Sequence, residues 1–313
     1  MTRVVVRATR GDVRRALVLV GLAVTAGACD LGTDAAPVDA GLDGWPAPRA
    51  DLVPAVGSAT TLDVACWNLE NFPKDVRTIG LVADLITSLD LDVVVVQEVA
   101  SVVAWDELVE RLPDHDGVLS SHRYTPTEYQ KLGVLYRPDR VVLGQPELLF
   151  VGETYAFPRP PLKVRVTAGA LAFDAIGVHL KAGTASDDGE RRAAAMRQLE
   201  AHVRAQVDGG GEDEVIVLGD FNEVLTTTAG MAVLAPMLAA PERYRFRTAE
   251  AAAAGEATFL PGGRVIDHVV TSAGLADELG AARAVIPPLD AQLPRYDPNV
   301  SDHLPVVISI PTP

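Results

Sequence analysis

The chain has 313 residues, 48% of them apolar, and a net charge of −15. That is enough apolar material for a sizeable core in one or two domains. The acidic balance repels polyanions at long range, which argues against a protein that coats nucleic acid through its overall charge, though not against local basic patches or a screening divalent cation.

Residues 1–28 read as an export signal. Arg3, Arg7, Arg10, Arg14 and Arg15 form a basic start, and residues 16–28 are uncharged and rich in Leu, Val and Ala. That apolar run is too short to span a bilayer comfortably and ends in the small residues Ala26-Gly27-Ala28, so cleavage is expected over an uncut anchor. Cys29 follows directly, which resembles a bacterial lipoprotein cleavage site, although Ala26 stands where a larger apolar residue is usual. The Arg14-Arg15 pair resembles a twin-arginine signal. The expectation is an exported protein, anchored to a membrane through a lipidated Cys29 or else secreted or periplasmic. Residues 29–58, rich in Asp, Ala, Pro and Gly, read as a disordered tether. The other cysteine, Cys66, lies inside an expected strand as a buried thiol, and no disulfide framework is implied.

Residues 59–313 carry the pattern of one α/β domain. Residues 62–67 predict a strand, and 75–89 a helix with Ile79, Val82, Leu85 and Ile86 at helical spacing. Residues 91–96, with four consecutive valines, predict a fully buried strand. A helix follows at 102–112, then strands at 132–137, 141–143, 162–166 and 171–178. Residues 189–207 predict a long helix, amphipathic through Ala195, Met196, Leu199 and Val203. Further strands are expected at 215–218, 258–260, 265–271 and 306–310. Early βαβ units followed by consecutive strands predict a mixed arrangement.

Polar residues cluster at the ends of these strands. Trp67-Asn68-Leu69-Glu70-Asn71 ends the first, Gln97-Glu98 the second, His179-Leu180-Lys181 a later one, and Gly219-Asp220-Phe221-Asn222 the next. Asp267 interrupts an apolar run, and Ser301-Asp302-His303 leads into the last strand. In open α/β sheets ligands bind beyond strand ends. With these motifs in this order, the chain over roughly residues 61–310 resembles the endonuclease/exonuclease/phosphatase family. The resemblance implies a four-layer α/β sandwich, two mixed β-sheets packed face to face with helices outside.

Phosphodiester hydrolysis needs a Lewis acid and a positioned water. Glu98 is an oxygen ligand of the kind Mg²⁺ prefers, and Asn68 and Asp302 complete the expected metal set, with Mn²⁺ as a substitute. Asp267, an acid within an apolar strand, requires a partner. The resemblance makes His303 that partner, with Asp267 fixing its tautomer and raising its basicity. It also implies that Asp220 orients or deprotonates the attacking water, and that Asn222 and His179 hydrogen-bond the phosphate. His268, one residue from Asp267, faces the opposite way and is read as structural, as are His115, His122 and His202. Lys131, Arg137, Arg159, Lys163, Lys181, Arg191 and Arg192 are the basic residues that could reach a polyanion, with solvated surface the default reading.

The inositol-phosphatase signature is missing, residues 264–268 reading Arg-Val-Ile-Asp-His. The segments around Tyr136, Arg159 and His179 resemble those of secreted bacterial nucleases. The expected function is an exported metal-dependent nuclease acting on DNA or RNA as a monomer. A phospholipase C or sphingomyelinase-like activity on phospholipid is the alternative, and a non-catalytic surface-binding lipoprotein is the third reading.

Overall fold

The computed structural model describes residues 46–312. The expected signal, Cys29 and the tether up to residue 45 lie outside them. In chain order the elements are β1 (Thr61–Phe72), α1 (Val76–Leu89), β2 (Val93–Val99), α2 (Val102–Arg111), β3 (Asp116–Leu119) and β4 (Lys131–Tyr136). Next come β5 (Val142–Leu143), β6 (Glu147–Leu148), β7 (Leu162–Ala168), β8 (Leu171–His179), α3 (Ser186–Asp208) and β9 (Val215–Asp220). The last are α4 (Thr228–Leu238), β10 (Tyr244–Phe246), α5 (Ala249–Ala254), β11 (Asp267–Ser272) and β12 (Val306–Pro311).

Two mixed sheets result. One has five strands in the order β12-β1-β2-β4-β3, and the other has seven, with β10-β11-β9-β8-β7-β5 in line and β6 pairing with β7. Each has one parallel pair at its centre, β1 with β2 and β8 with β9, flanked by antiparallel neighbours. The sheets face each other across a core that includes Val64, Cys66 and Val95 of the first and Phe173, Ala175, Ile216 and Leu218 of the second. They approach closely because β8 has a glycine where the sheets meet: a Cβ on Gly177 would lie 2.6 Å from Cγ1 of Val95.

Helices cover the outer faces. Asp75 caps α1, accepting from the Arg77 amide at 2.7 Å while its own amide donates to Thr78 Oγ1 at 3.0 Å. The buried stripe of Ile79, Val82, Leu85, Ile86 and Leu89 then lies on the first sheet. Trp105 of α2 sits over Gly117 of β3 and Gly133 of β4, where any side chain would collide with the indole. On the other side, Ala195, Met196, Leu199 and Val203 of α3 and Val233, Leu234 and Met237 of α4 bury against Ile176, Val178, Val215 and Val217. Burying each of these larger aliphatic side chains contributes roughly 1.5–3 kcal/mol. The four-layer arrangement is thus the one expected. Among the described residues no helix is long and apolar enough to cross a membrane.

Three details differ from the sequence reading. The segment read as tether is held against α1 from residue 49 onward: the Arg49 amide donates to Asp84 Oδ1, the Leu52 amide to Ser88 Oγ, and the Val56 and Gly57 amides to the Leu89 carbonyl. Val53 is buried there, so isolated apolar residues without periodicity are enough to dock a stretch whose composition looks disordered. Strand β1 runs on to Phe72 rather than ending at Trp67, because it continues through a bulge. Residues 258–260 form no strand; Phe259 makes only isolated bridges to Arg264 and His303.

Candidate active site

The topology brings the polar strand ends to one rim. Parallel strands β1 and β2 end side by side, as do β8 and β9. Antiparallel β11 and β12 begin at that same rim, since Asp267 lies opposite Asp220 and Val306 opposite Cys66. The two halves touch where Asn68 Nδ2 donates to Asp220 Oδ2 at 3.1 Å.

The second sheet presents a row. His179 is in register with Asp220, and Asp220 with Asp267, so the three side chains stand on neighbouring strands and on one face. All are buried. Gly219 makes the row possible: it takes φ +137°, and a Cβ there would lie 2.1 Å from the Val178 carbonyl oxygen. Burial pushes the Asp220 carboxyl up to about 7, helped by the facing Asp267 and offset in part by His303. Burial drives His179 the other way, well below the ordinary histidine value, with the charges of Arg159 and His303 adding to it. A neutral His179 with Nε2 3.6 Å from both Glu98 Oε1 and Asp220 Oδ2 carries its proton on that nitrogen, where the acids attract it. Asn222 follows the row in a left-handed conformation, φ 52°. Its amide N–H donates to Asp220 Oδ1 at 2.7 Å, and its side chain donates to the Leu180 carbonyl.

His303 closes the row. Its Nδ1–H donates to Asp267 Oδ2 at 2.8 Å, and both residues are buried. Burial alone would strip His303 of its charge, but Asp267, through charge and hydrogen bond, together with Asp220 and Asp302, pushes its pKa up to about 10. It is therefore an imidazolium at neutral pH, with Nε2 3.7 Å from Asp302 Oδ1. The partnership expected for Asp267 is present. His268 points away: Nε2–H donates to the Glu223 carbonyl at 2.9 Å and Nδ1 accepts from Thr248 Oγ1 at 2.8 Å.

The first sheet supplies Glu98 through a distortion. Between Val96 and Val99, β2 has two residues where β4 has one, a β-bulge, and Glu98 within it takes φ 62°. Val95 faces the second sheet, so regular alternation would send Glu98 to the helical side. The bulge instead delivers its Oε1 to Asn68 Nδ2 at 3.3 Å. The adjacent bulge in β1 places Glu70 and Asn71 at φ 44° and 52°, and the Asn71 N–H donates to Glu98 Oε2 at 3.0 Å. Backbone held in this region costs of order 1–3 kcal/mol per residue and clusters at functional sites. Asn68 Oδ1 accepts from the Glu70 amide, so its nitrogen faces the two carboxylates and bridges them.

Several residues around the site were given no role from the sequence. Ser301 Oγ donates to the Asn68 carbonyl at 2.6 Å and accepts from the His303 amide at 3.0 Å, tying β1 to the entry of β12. Tyr296 OH donates to the His303 carbonyl at 2.6 Å, and Glu70 accepts from the Asp302 amide. Gln130 donates to both Glu98 and Asn71. Glu70 and Asn71 stand within the first strand-end motif, but Gln130 comes from a loop and Tyr296 from a one-turn helix, Tyr296–Asn299, with no sequence signal of their own.

Each of the seven basic residues considered from the sequence is partnered within the chain. Arg159 donates to the carbonyls of His179 and Leu180, Lys131 to those of Ser120 and His122, and Arg191 to those of Thr154 and Tyr155. Arg192 pairs with Glu223, Arg137 with Asp90, Lys163 with Asp174 and Lys181 with Asp188. Among the described residues, the group in which three ligand-type side chains gather within 4.8 Å is Asp220, Asp267 and His303. Asp220, Asp267 and Asp302 thus converge on one imidazolium, while Glu98 lies 3.6 Å from His179 Nε2. Oδ1 atoms of Asp267 and Asp302 are buried with no hydrogen-bond partner, and burial raises Asp302 to about 6, His303 offsetting part of it. An oxygen-rich pocket with buried, unpartnered carboxylate oxygens fits a divalent cation.

The Endonuclease/Exonuclease/phosphatase family model matches residues 65–303. The fold is also that of solved structures at low identity. An endonuclease/exonuclease/phosphatase from Bacteroides vulgatus is 18% identical, with TM-score 0.60, covering 81% of this chain and 100% of that one. D. rerio TDP2, complexed with a single-strand DNA product, is 15% identical, with TM-score 0.58 and the same coverage. The human Nocturnin catalytic domain with bound sulfate is 18% identical, with TM-score 0.57, over 80% of this chain and 93% of that one. No curated protein matches the sequence significantly.

Proposed function

Because the chain belongs to the endonuclease/exonuclease/phosphatase family, we propose that it is an exported, monomeric Mg²⁺- or Mn²⁺-dependent nuclease. The observation that carries the hydrolytic reading is the buried row His179-Asp220-Asp267 closed by His303. A divalent cation held by Glu98 and Asp302, with Asn68 beside them, would supply Lewis-acid polarisation of the phosphoryl group. Asp220, whose pKa sits near neutrality, takes the proton of the attacking water, the Asn222 amide holding its other oxygen in place. His303, anchored through Nδ1, presents Nε2–H to a phosphoryl oxygen and keeps its charge because Asp267 compensates it. His179 donates through Nε2 to the same group.

A nucleic-acid substrate is supported by the loop that borders Glu98. The Tyr124 ring is exposed there, and Arg123 stacks on Tyr129 with its guanidinium 5.4 Å from the ring centre. Aromatic and guanidinium faces of this kind stack on bases without reading sequence. The single-strand DNA complex of D. rerio TDP2 points the same way. A phospholipid substrate is favoured by a different observation: Val76 and Val103, in the first turns of α1 and α2 on the active-site side, are 81% and 78% exposed. The test is a screen of the purified full chain with Mg²⁺ against single- and double-stranded DNA, RNA, sphingomyelin and a small phosphodiester. Nucleic-acid hydrolysis is expected; turnover of sphingomyelin alone would transfer the assignment to the lipid reading, and no turnover of any would overturn the catalytic one.

A further inference from the structure

Gln130 makes every hydrogen bond its side chain can make, and all four lead to the site. Nε2 donates to Asn71 Oδ1 at 2.7 Å and to Glu98 Oε2 at 3.0 Å. Oε1 accepts from Arg159 at 3.0 Å and from Tyr124 OH at 3.2 Å. Arg159 is itself buried and fixed by the carbonyls of His179 and Leu180. Because Arg159 can only donate and the Glu98 carboxylate only accept, the amide has one allowed orientation. It grips Glu98 and Asn71, two of the three left-handed residues in the paired bulges of β1 and β2.

We infer that Gln130 is a positioning residue, held in one orientation by Arg159, whose amide clamps the Glu98 carboxylate in its strained bulge and so sets the affinity of the divalent-cation site. The inference rests on the metal reading proposed above. Glu98 hangs from a backbone conformation that its own residue type disfavours, so its surroundings must specify it. Removing the clamp leaves Oε2 held by the Asn71 N–H and Oε1 by Asn68, so the carboxylate is less constrained, and an outer partner of a metal ligand typically accounts for about 10–100-fold in affinity.

The test is Mn²⁺ binding to the EDTA-stripped full chain, followed by electron paramagnetic resonance, for the parent protein, Q130M, N71A, E98A and Q130M/E98A. Q130M should bind Mn²⁺ about 10–100-fold more weakly, with its metal-free Tm close to that of the parent. The double variant should bind no more weakly than E98A alone, because the clamp acts only through that carboxylate. N71A, which keeps the Gln130–Glu98 bond, should lose much less. Parent-like affinity in Q130M, losses that add to those of E98A, or a metal-free Tm that falls in step with affinity would each overturn the clamp. If E98A binds as tightly as the parent, the metal assignment to Glu98 falls as well, which separates the two failures.

Discussion

His303 Nδ1 lies 2.8 Å from Asp267 Oδ2, and the pair joins the loop before β12 to the first residue of β11, one element from each sheet. If the pair works as a unit, Asp267→Asn should lower kcat by roughly 10²–10⁴, since the amide no longer compensates the imidazolium. His303→Ala should cost at least as much, and the double variant little more than His303→Ala. His268→Ala is the control. It orphans the Glu223 carbonyl and Thr248 and should destabilise by roughly 1–3 kcal/mol, with activity per folded molecule nearly intact. Steady-state kinetics on one substrate decides the matter: additive losses, or a His268 effect as large as that of His303, would refute the pairing.

Removal of divalent metal should abolish activity, and Mg²⁺ or Mn²⁺ should restore it. Glu98→Gln keeps the shape but loses the charge, and should raise the metal concentration needed for half-activity at least tenfold. Full turnover after exhaustive EDTA treatment would count against any metal role.

The raised Asp220 carboxyl makes a prediction about stability. Its ordinary pKa is 3.8 and its folded value about 7. The folded protein therefore keeps a proton that the unfolded chain has already lost. The associated stability is fully present below about pH 4 and disappears as the pH climbs through 7. Asp220→Asn cannot titrate, so in EDTA its stability relative to the parent should improve between pH 4 and pH 8. Urea unfolding at both pH values measures this, and a pH-independent difference between the two proteins would contradict it.

Gly219→Ala should be among the most damaging single substitutions available. The new methyl would meet the Val178 carbonyl oxygen of the neighbouring strand at 2.1 Å, in a backbone region an L-residue avoids. A loss of roughly 4–5 kcal/mol is expected, the exceptional end of the range. Denaturant unfolding would show whether the strand tolerates it.

The fold was legible where periodicity was strong. The four valines of β2 and the capped, amphipathic α1 declare themselves, and β11 and β12 fell within a residue or two of their expected places. The polar residues were legible as types at strand ends, because a carboxylate there has few structural uses. What could not be read was how Glu98 comes to face the site, since the bulge that turns it is a property of pairing with β4 and β1. Gln130 lay outside the reading for a similar reason. It acquires its meaning only when its loop folds back on Glu98 and Asn71, 32 and 59 residues earlier, a contact with no local signature. The docking of residues 49–57 was missed because composition is blind to a few well-placed apolar anchors.

The order of the strands has a further consequence. β12 pairs with β1, so the earliest strand of the domain waits for the one that follows all others. His303 stands immediately before β12, and its partner Asp267 is carried on the opposite sheet. A chain that has not yet delivered its final strand has no dyad, and a chain whose sheets have not docked has Asn68 and Asp220 apart. The candidate site is thereby the last part of the domain to be assembled, complete only when β12 is paired and the two sheets are docked.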